Sequence, residues 1–277
     1  MQLHRFDSID KFWDQTKAYL LQHEAEHNVL LGIVHTLRHN PARYRDPPYL
    51  AIVEIDGEIV ATAIRTPPHK LLLSKASNLD ALNLIAEDLR QEQLPGVMGL
   101  LPEVEIFVQA WQAITGQSYR LSIAMKIHQL QAVQLAAKAT GYLRLANESD
   151  RTLLLKWLPA FNAEAGLEVI EDLERFVTNL LKNQNTYLWE DNTAVSLAAG
   201  RKFSDTASRI GLVYTPPQHR RKGYATACVA ALSQKLLDEG CDRCFLLTDL
   251  ENHTSNHIYR QIGYIPVCDW HEYSFIS

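Results

Sequence analysis

The chain has 277 residues, of which 27 are basic and 32 acidic, and its net charge is −5. This balance argues against general affinity for nucleic acid or for membranes, so any anion site must be local. The sequence shows neither a signal-peptide core at its N-terminus nor an apolar run of membrane-spanning length. All four cysteines lie in the last fifty residues, too bunched for a disulfide framework, so we expect a reduced, cytoplasmic setting.

The N-terminal half alternates between helical and strand patterns. Apolar spacing predicts helices, and alternation around the Asp56-Gly57 turn predicts a hairpin. In chain order we predict a helix at 11–37, a hairpin at 49–66, a strand at 69–76, a helix at 78–93, a strand at 96–101, a helix at 103–116 ending at Gly116, and a strand at 119–130.

The C-terminal half repeats this order. We predict a strand at 141–146, helices at 151–166 and 171–184, a hairpin at 186–203 across Asp191-Asn192, a strand at 208–215, a helix at 223–240, a strand at 244–250, a helix at 254–263 and a closing strand at 264–276. The repetition indicates two related α/β domains, residues 1–135 and 136–277, joined around residues 129–137.

The stretch LVYTPPQHRRKGYATA, residues 212–227, has the features of an anion site. A predicted strand ends in prolines, and the chain then passes through Gly223 into a helix. The free N–H groups and the positive dipole at a helix start favour anions, and Gly223 permits positive φ. Arg220, Arg221 and Lys222 add charge that suits a phosphate. The alternative is a solvated basic turn.

The pattern Arg220-x-x-Gly223-x-Ala225 between a strand and a long helix resembles Q/R-x-x-G-x-G/A of the GNAT N-acetyltransferases. In that family the motif holds the pyrophosphate of acetyl-CoA, and the preceding strand pairs with the pantetheine arm. Downstream, ENHTSNHIYRQIGY resembles the family's second signature. The resemblance implies that the cofactor contacts are Val213, Tyr214, Thr215, Arg220, Arg221, Lys222, Gly223, Tyr224, Ala225, Thr226, Asn252 and Asn256.

The resemblance also implies a fold and a mechanism. The fold is α/β, with two GNAT-like domains, each a mixed, mostly antiparallel twisted sheet flanked by helices; the N-terminal domain is degenerate because it lacks the glycine motif. An amine of a small molecule or peptide would attack acetyl-CoA directly in a ternary complex, without metal, and Tyr259 would protonate the leaving thiolate. Glu190, Asp249 and Glu251 are open candidates for the base.

Three alternatives compete with this interpretation. HEAEH, His23 to His27, matches the zinc pattern H-E-x-x-H, but no third ligand is evident, and a polar helix face explains it better. Cys241 and Cys244 form a C-x-x-C without a second ligand pair, which favours two small, half-buried residues that enter a strand. Finally, a non-catalytic acyl-CoA-binding or interaction module would keep the cofactor motif without turnover.

Overall fold

A computed structural model describes residues 1–134, 139–167 and 169–276. The first part of the chain forms β1 (Gln2–Arg5), α1 (Ile9–Leu21), α2 (Asn28–His39), β2 (Tyr49–Ile55), β3 (Glu58–Arg65), β4 (Leu71–Leu73), α3 (Ala81–Asp88), β5 (Gly96–Leu100), α4 (Leu101–Thr115) and β6 (Ser118–Leu130). The rest forms β7 (Tyr142–Leu145), α5 (Arg151–Glu164), α6 (Leu173–Lys182), β8 (Thr186–Asp191), β9 (Thr193–Lys202), β10 (Ala207–Tyr214), α7 (Tyr224–Asp238), β11 (Arg243–Asp249), α8 (His253–Ile262) and β12 (Ile265–Ile276).

Two compact units divide these elements. The first unit comprises Met1–His128, Leu247–Asn252 and Pro266–Ser277, and the second comprises Gln129–Leu246 and His253–Ile265. The predicted domain junction at residues 135 and 136 lies outside the described residues. The closing strand was predicted to belong to the C-terminal domain, but by its contacts the segment from Pro266 onward belongs to the first unit.

In the first unit, β1 to β4 pair antiparallel in sequence order, and β5 pairs parallel with β4. The β2–β3 turn is the predicted one, with both Asp56 and Gly57 at positive φ. α3 and α4 cover one side with a core that includes Leu82, Ile85 and Phe107. The strand β1, which the sequence analysis did not predict, extends the sheet beside β2.

The final strand, β12, completes the first unit. It pairs antiparallel with β5, with Trp270 opposite Leu100 and Ser274 opposite Gly96. The Phe275 ring stacks on Trp111 of α4 at a centroid distance of 5.3 Å. The alternating apolar pattern of β12 predicts a strand correctly, but such a pattern carries no information about which strand lies beside it.

The predicted helix at 11–37 is interrupted at HEAEH, and that part of the prediction is wrong. α1 ends at Leu21 and α2 begins at Asn28. His27 is buried between them: its Nδ1 donates to the Leu20 carbonyl at 2.9 Å, and its Nε2 accepts from the Lys75 N–H at 3.0 Å. Among the described residues no group of three His, Cys, Asp or Glu side chains is placed to hold a metal ion.

His27 should make the protein sensitive to acid. Burial lowers the pKa of His27 to about 4, below the ordinary value of about 6.5, so the folded state favours the neutral ring. The contribution of His27 to the free energy of unfolding is fully present above pH ~6.5 and is lost as the pH falls toward 4. Between pH 7 and pH 4.5 this loss amounts to about 2 kcal/mol. Urea unfolding at the two pH values should show a smaller loss in His27→Gln than in the wild type. An equal loss in both proteins would contradict this assignment.

In the second unit, β7 to β10 pair antiparallel in sequence order, and β11 pairs parallel with β10. α5 and α6 pack over one cluster that includes Leu154, Trp157 and Leu188. The apolar side chains of α6 between Leu173 and Leu181 contribute to it. A separate cluster collects the inner face of α7 and the α8 side chains Tyr259 and Ile262.

Both units therefore contain mixed, mostly antiparallel strands flanked by helices, which confirms the predicted fold class. None of the helices in the described ranges has the length and apolarity that crossing a membrane requires. Cys241 and Cys244 are buried, and burial raises the pKa of the Cys244 thiol to about 11.

Candidate active site

The distal end of β10 departs from regular pairing. Its register with β9 shifts between Gly211 and Tyr214, and Leu212 lies at φ 51°. Such a β-bulge takes backbone groups out of the ladder and re-aims them. The predicted cofactor strand includes Val213 to Thr215, but nothing in its residue pattern indicates this bulge.

The other side of β10 opens at the same end. The recorded parallel pairing with β11 runs from Ala207 and Arg243 to Arg209 and Phe245. Beyond Arg209, in the described ladder, β10 pairs only with β9. An open strand edge at the carboxyl end of a sheet is a common place for a ligand to bind by strand addition.

A tight turn joins β10 to α7. It contains a short 3₁₀ segment, Pro217–His219, and then two positive-φ residues, Arg221 at 60° and Gly223 at 84°. The positive φ of Gly223 confirms the prediction, whereas that of Arg221 was unforeseen. Left-handed residues in a tight turn can direct neighbouring N–H groups toward one point, which makes an anion-binding concavity.

The start of α7 carries a run of unbonded donors. Gly223 is its N-cap and supplies no side-chain cap, and the first helical bond runs from the Ala227 N–H to the Gly223 carbonyl at 2.9 Å. Within the described residues, none of the N–H groups at 221–226 donates to a protein acceptor. These donors lie where the helix dipole is positive.

The three basic residues before α7 differ in their contacts. Arg220 donates through Nε to the Thr215 carbonyl at 2.8 Å and forms an ion pair with Glu164 at the end of α5. Arg221 and Lys222 are exposed, and neither has an ion-pair partner in the part of the chain that the structure describes. Their charge remains available at the helix start.

Tyr224, the first residue of α7, anchors the helix to the β8–β9 turn. Its hydroxyl donates to Asp191 Oδ2 at 2.6 Å, and the Thr140 hydroxyl donates to the same oxygen at 2.8 Å. The hydrogen bond from Tyr224 lowers the pKa of Asp191, with Lys222 contributing through its charge. Tyr224, Ala225 and Thr226 are half-buried, and their backbone N–H groups belong to the unbonded donors at 221–226.

Tyr259 lies on α8 in the second unit, and its side chain is 7% exposed. Its ring packs edge-to-face against Tyr264 at a centroid distance of 5.9 Å. Burial, with a smaller contribution from the Cys228 thiol, raises the pKa of Tyr259 above its ordinary value. The phenol is therefore protonated at neutral pH, and its raised pKa makes it a weaker acid than an exposed tyrosine.

The remaining predicted residues are the two asparagines and the three candidate bases. Asn256 is half-buried on α8, whereas Asn252 is exposed in the segment that belongs to the first unit. Of the base candidates, Glu190 is held in an ion pair with Arg144, which also binds Asp150 through two hydrogen bonds of 2.7 and 2.8 Å.

Asp249 and Glu251 are the remaining base candidates. Asp249 ends β11, and its Oδ1 accepts from the Glu251 N–H at 2.9 Å. Both residues belong to the segment that clusters with the first unit.

Comparison with known proteins supports the resemblance to the GNAT family. Residues 171–274 match the family model "FR47-like protein". A comparison with curated proteins gives no match. Among solved structures, a Drosophila protein has a TM-score of 0.70 at 12% identity, with 99% of this chain and 98% of that chain covered.

Two further structures cover the whole chain and carry informative descriptions. One is an acetyltransferase from the GNAT family of Colwellia psychrerythraea, with a TM-score of 0.63, 12% identity and 99% of each chain covered. The other is a tandem GNAT protein from the clavulanic acid biosynthesis pathway, with a TM-score of 0.57, 12% identity, and 99% of this chain and 98% of that chain covered. The resemblance to the GNAT family is thus confirmed, by fold over the whole chain and by the GNAT-related FR47-like match of residues 171–274.

Proposed function

We propose that the protein is an acetyl-CoA-dependent N-acetyltransferase whose second unit binds the cosubstrate. The observation that carries this proposal is the run of unbonded N–H groups at 221–226, placed after a strand with an open, bulged end. Neutral ligands would gain little from this arrangement, whereas a pyrophosphate can accept several of these donors at once.

The residues present fit acetyl-CoA. The N–H groups of residues 221–226 would hold the pyrophosphate, and the unpaired side chains of Arg221 and Lys222 would neutralise its charge. The open edge of β10 from Leu212 to Tyr214 would pair with the amide-containing pantetheine arm. The GNAT acetyltransferase from Colwellia has the same fold, which supports this assignment by analogy.

Acetyl-CoA supplies an acetyl group as a thioester. Transfer joins the amine nitrogen to the acetyl carbon and breaks the carbon–sulfur bond, so one proton must leave the amine and one must reach the sulfur. Tyr259 would supply the second proton, because burial keeps its hydroxyl protonated. A backbone N–H in the bulge at Leu212 and Val213 would stabilise negative charge on the carbonyl oxygen.

The acceptor would be an amine on a small molecule or a peptide. Its proton would pass to a base, directly or through water, and Glu190, Asp249 and Glu251 stay open candidates for this role. Direct attack in a ternary complex requires no covalent enzyme intermediate, so the buried thiol of Cys228 has no part in it.

A screen of amines with acetyl-CoA, read by detection of the free thiol, tests this proposal. We expect acetyl-CoA to bind and at least one class of amine to release thiol above the rate of spontaneous hydrolysis. Binding without turnover on any amine would instead indicate a non-catalytic acyl-CoA module, and absence of binding would contradict both functions.

A further inference from the structure

Arg220, the first residue of the glycine motif, is turned into a network of protein contacts. Its Nε donates to the Thr215 carbonyl at 2.8 Å, and an Nη2 donor is occupied by Glu164. Glu164 is the last residue of α5 and lies 56 positions before Arg220 in the sequence. The guanidinium charge is therefore already matched by an anion of the same unit.

Thr215 is fixed from a second direction. Its hydroxyl lies 2.8 Å from the hydroxyl of Ser196, which is fully buried on β9 and also donates to the Tyr214 carbonyl at 3.2 Å. Thr215 is thus held through its hydroxyl by Ser196 of β9 and through its carbonyl by Arg220. We name the four residues Glu164, Ser196, Thr215 and Arg220 the clasp.

The clasp joins the two structures that the proposed function uses. Thr215 directly follows β10, whose end is open and bulged, and Arg220 lies three residues before the N-cap of α7. The bond from Arg220 to the Thr215 carbonyl closes the turn between them, and the ion pair with Glu164 ties this turn to the end of α5. Arg221 and Lys222 have no ion-pair partner among the described residues.

We propose that Arg220 is a positioning residue, which sets the turn between β10 and α7, and that Arg221 and Lys222 supply the charge for the phosphates. This inference rests on the proposed function. It assigns different roles to three neighbouring cations that the charge pattern of the sequence treats alike. It also gives Glu164, which no motif identifies, a part in cofactor affinity.

Replacing Glu164 distinguishes the two roles of Arg220 by the sign of the effect. If Arg220 bound phosphate, Glu164→Ala would remove a competing carboxylate and tighten acetyl-CoA binding. If Arg220 positions the turn, the same change loosens it, and we expect the Kd for acetyl-CoA to rise about fivefold, as for loss of one partly exposed ion pair. Glu174→Ala is the matched control, since it removes an exposed carboxylate from the same unit, and its Kd should be unchanged.

Two substitutions of Arg220 and one of Lys222 complete the experiment. Arg220→Lys keeps the charge but loses the forked geometry, so we expect a Kd about fivefold above the wild type and no further rise when Glu164→Ala is added. Arg220→Gln should leave the salt dependence of the Kd as in the wild type, whereas Lys222→Gln should weaken that dependence. The thermal unfolding midpoint of each variant, measured alongside, separates these effects from loss of the fold.

The outcomes separate the clasp from the proposed function. Tighter binding by Glu164→Ala, or wild-type affinity in Arg220→Lys, would overturn the clasp while acetyl-CoA binding stands. No binding of acetyl-CoA by the wild-type protein would overturn the proposed function itself, and with it the purpose of the clasp.

Discussion

Replacing Gly223 with glutamate should raise the Kd for acetyl-CoA at least about 100-fold, which removes measurable binding in an ordinary titration. Gly223 lies at φ 84°, where side chains are strained, and a carboxylate at the start of α7 would repel the phosphates from the same N–H groups. Isothermal titration calorimetry with acetyl-CoA measures the change.

Gly223→Ala separates strain from charge. A Cβ at this position meets only the Ala139 Cβ, at 3.7 Å, so it fits without a clash. The left-handed backbone costs about 1–2 kcal/mol, and we expect the alanine variant to bind no more than about tenfold more weakly than the wild type. Affinity in the glutamate variant equal to that of the alanine variant would contradict a phosphate site at this helix start.

Replacing Tyr259 with phenylalanine should lower kcat about 100-fold or more and leave the Kd for acetyl-CoA unchanged. The phenylalanine ring keeps the packing against Tyr264, while the hydroxyl that would protonate the thiolate is lost. Steady-state thiol release with the acceptor found in the amine screen gives kcat, and titration gives the Kd.

The pH dependence of the wild type checks the same assignment. Burial raises the pKa of Tyr259 above its ordinary value of about 10, so its hydroxyl stays protonated throughout the range from pH 7 to pH 9. Loss of this proton should therefore not lower kcat between these two pH values. If Tyr259→Phe keeps wild-type kcat, another group protonates the sulfur and Tyr259 is only a core residue.

Local patterns in the sequence predicted most elements of the fold. The Asp56-Gly57 and Asp191-Asn192 turns were identified because these residues accept positive φ, which the structure gives to Asp56, Gly57 and Asn192. Amphipathic spacing likewise predicted α6 and α7. The break at HEAEH was not predictable in this way, because it depends on His27 reaching the Lys75 N–H from a distant part of the chain.

Contacts between distant residues also limited the prediction of the site. The motif predicted the conformation of Gly223, since a backbone requirement is local and only glycine meets it without strain. It gave no sign of the bulge at Leu212, nor of the bond from Arg220 to Glu164, which joins residues fifty-six positions apart. The charge pattern alone therefore made Arg220 look equivalent to Arg221 and Lys222.

Hydrogen–deuterium exchange across residues 221–226 tests the central claim most directly. In the free protein these N–H groups have no acceptor among the described residues and should exchange rapidly. Saturation with acetyl-CoA should slow exchange in this segment of the wild type. The same concentration of acetyl-CoA should give no such protection in the Gly223→Glu variant. Binding of acetyl-CoA without added protection at residues 221–226 would contradict the account.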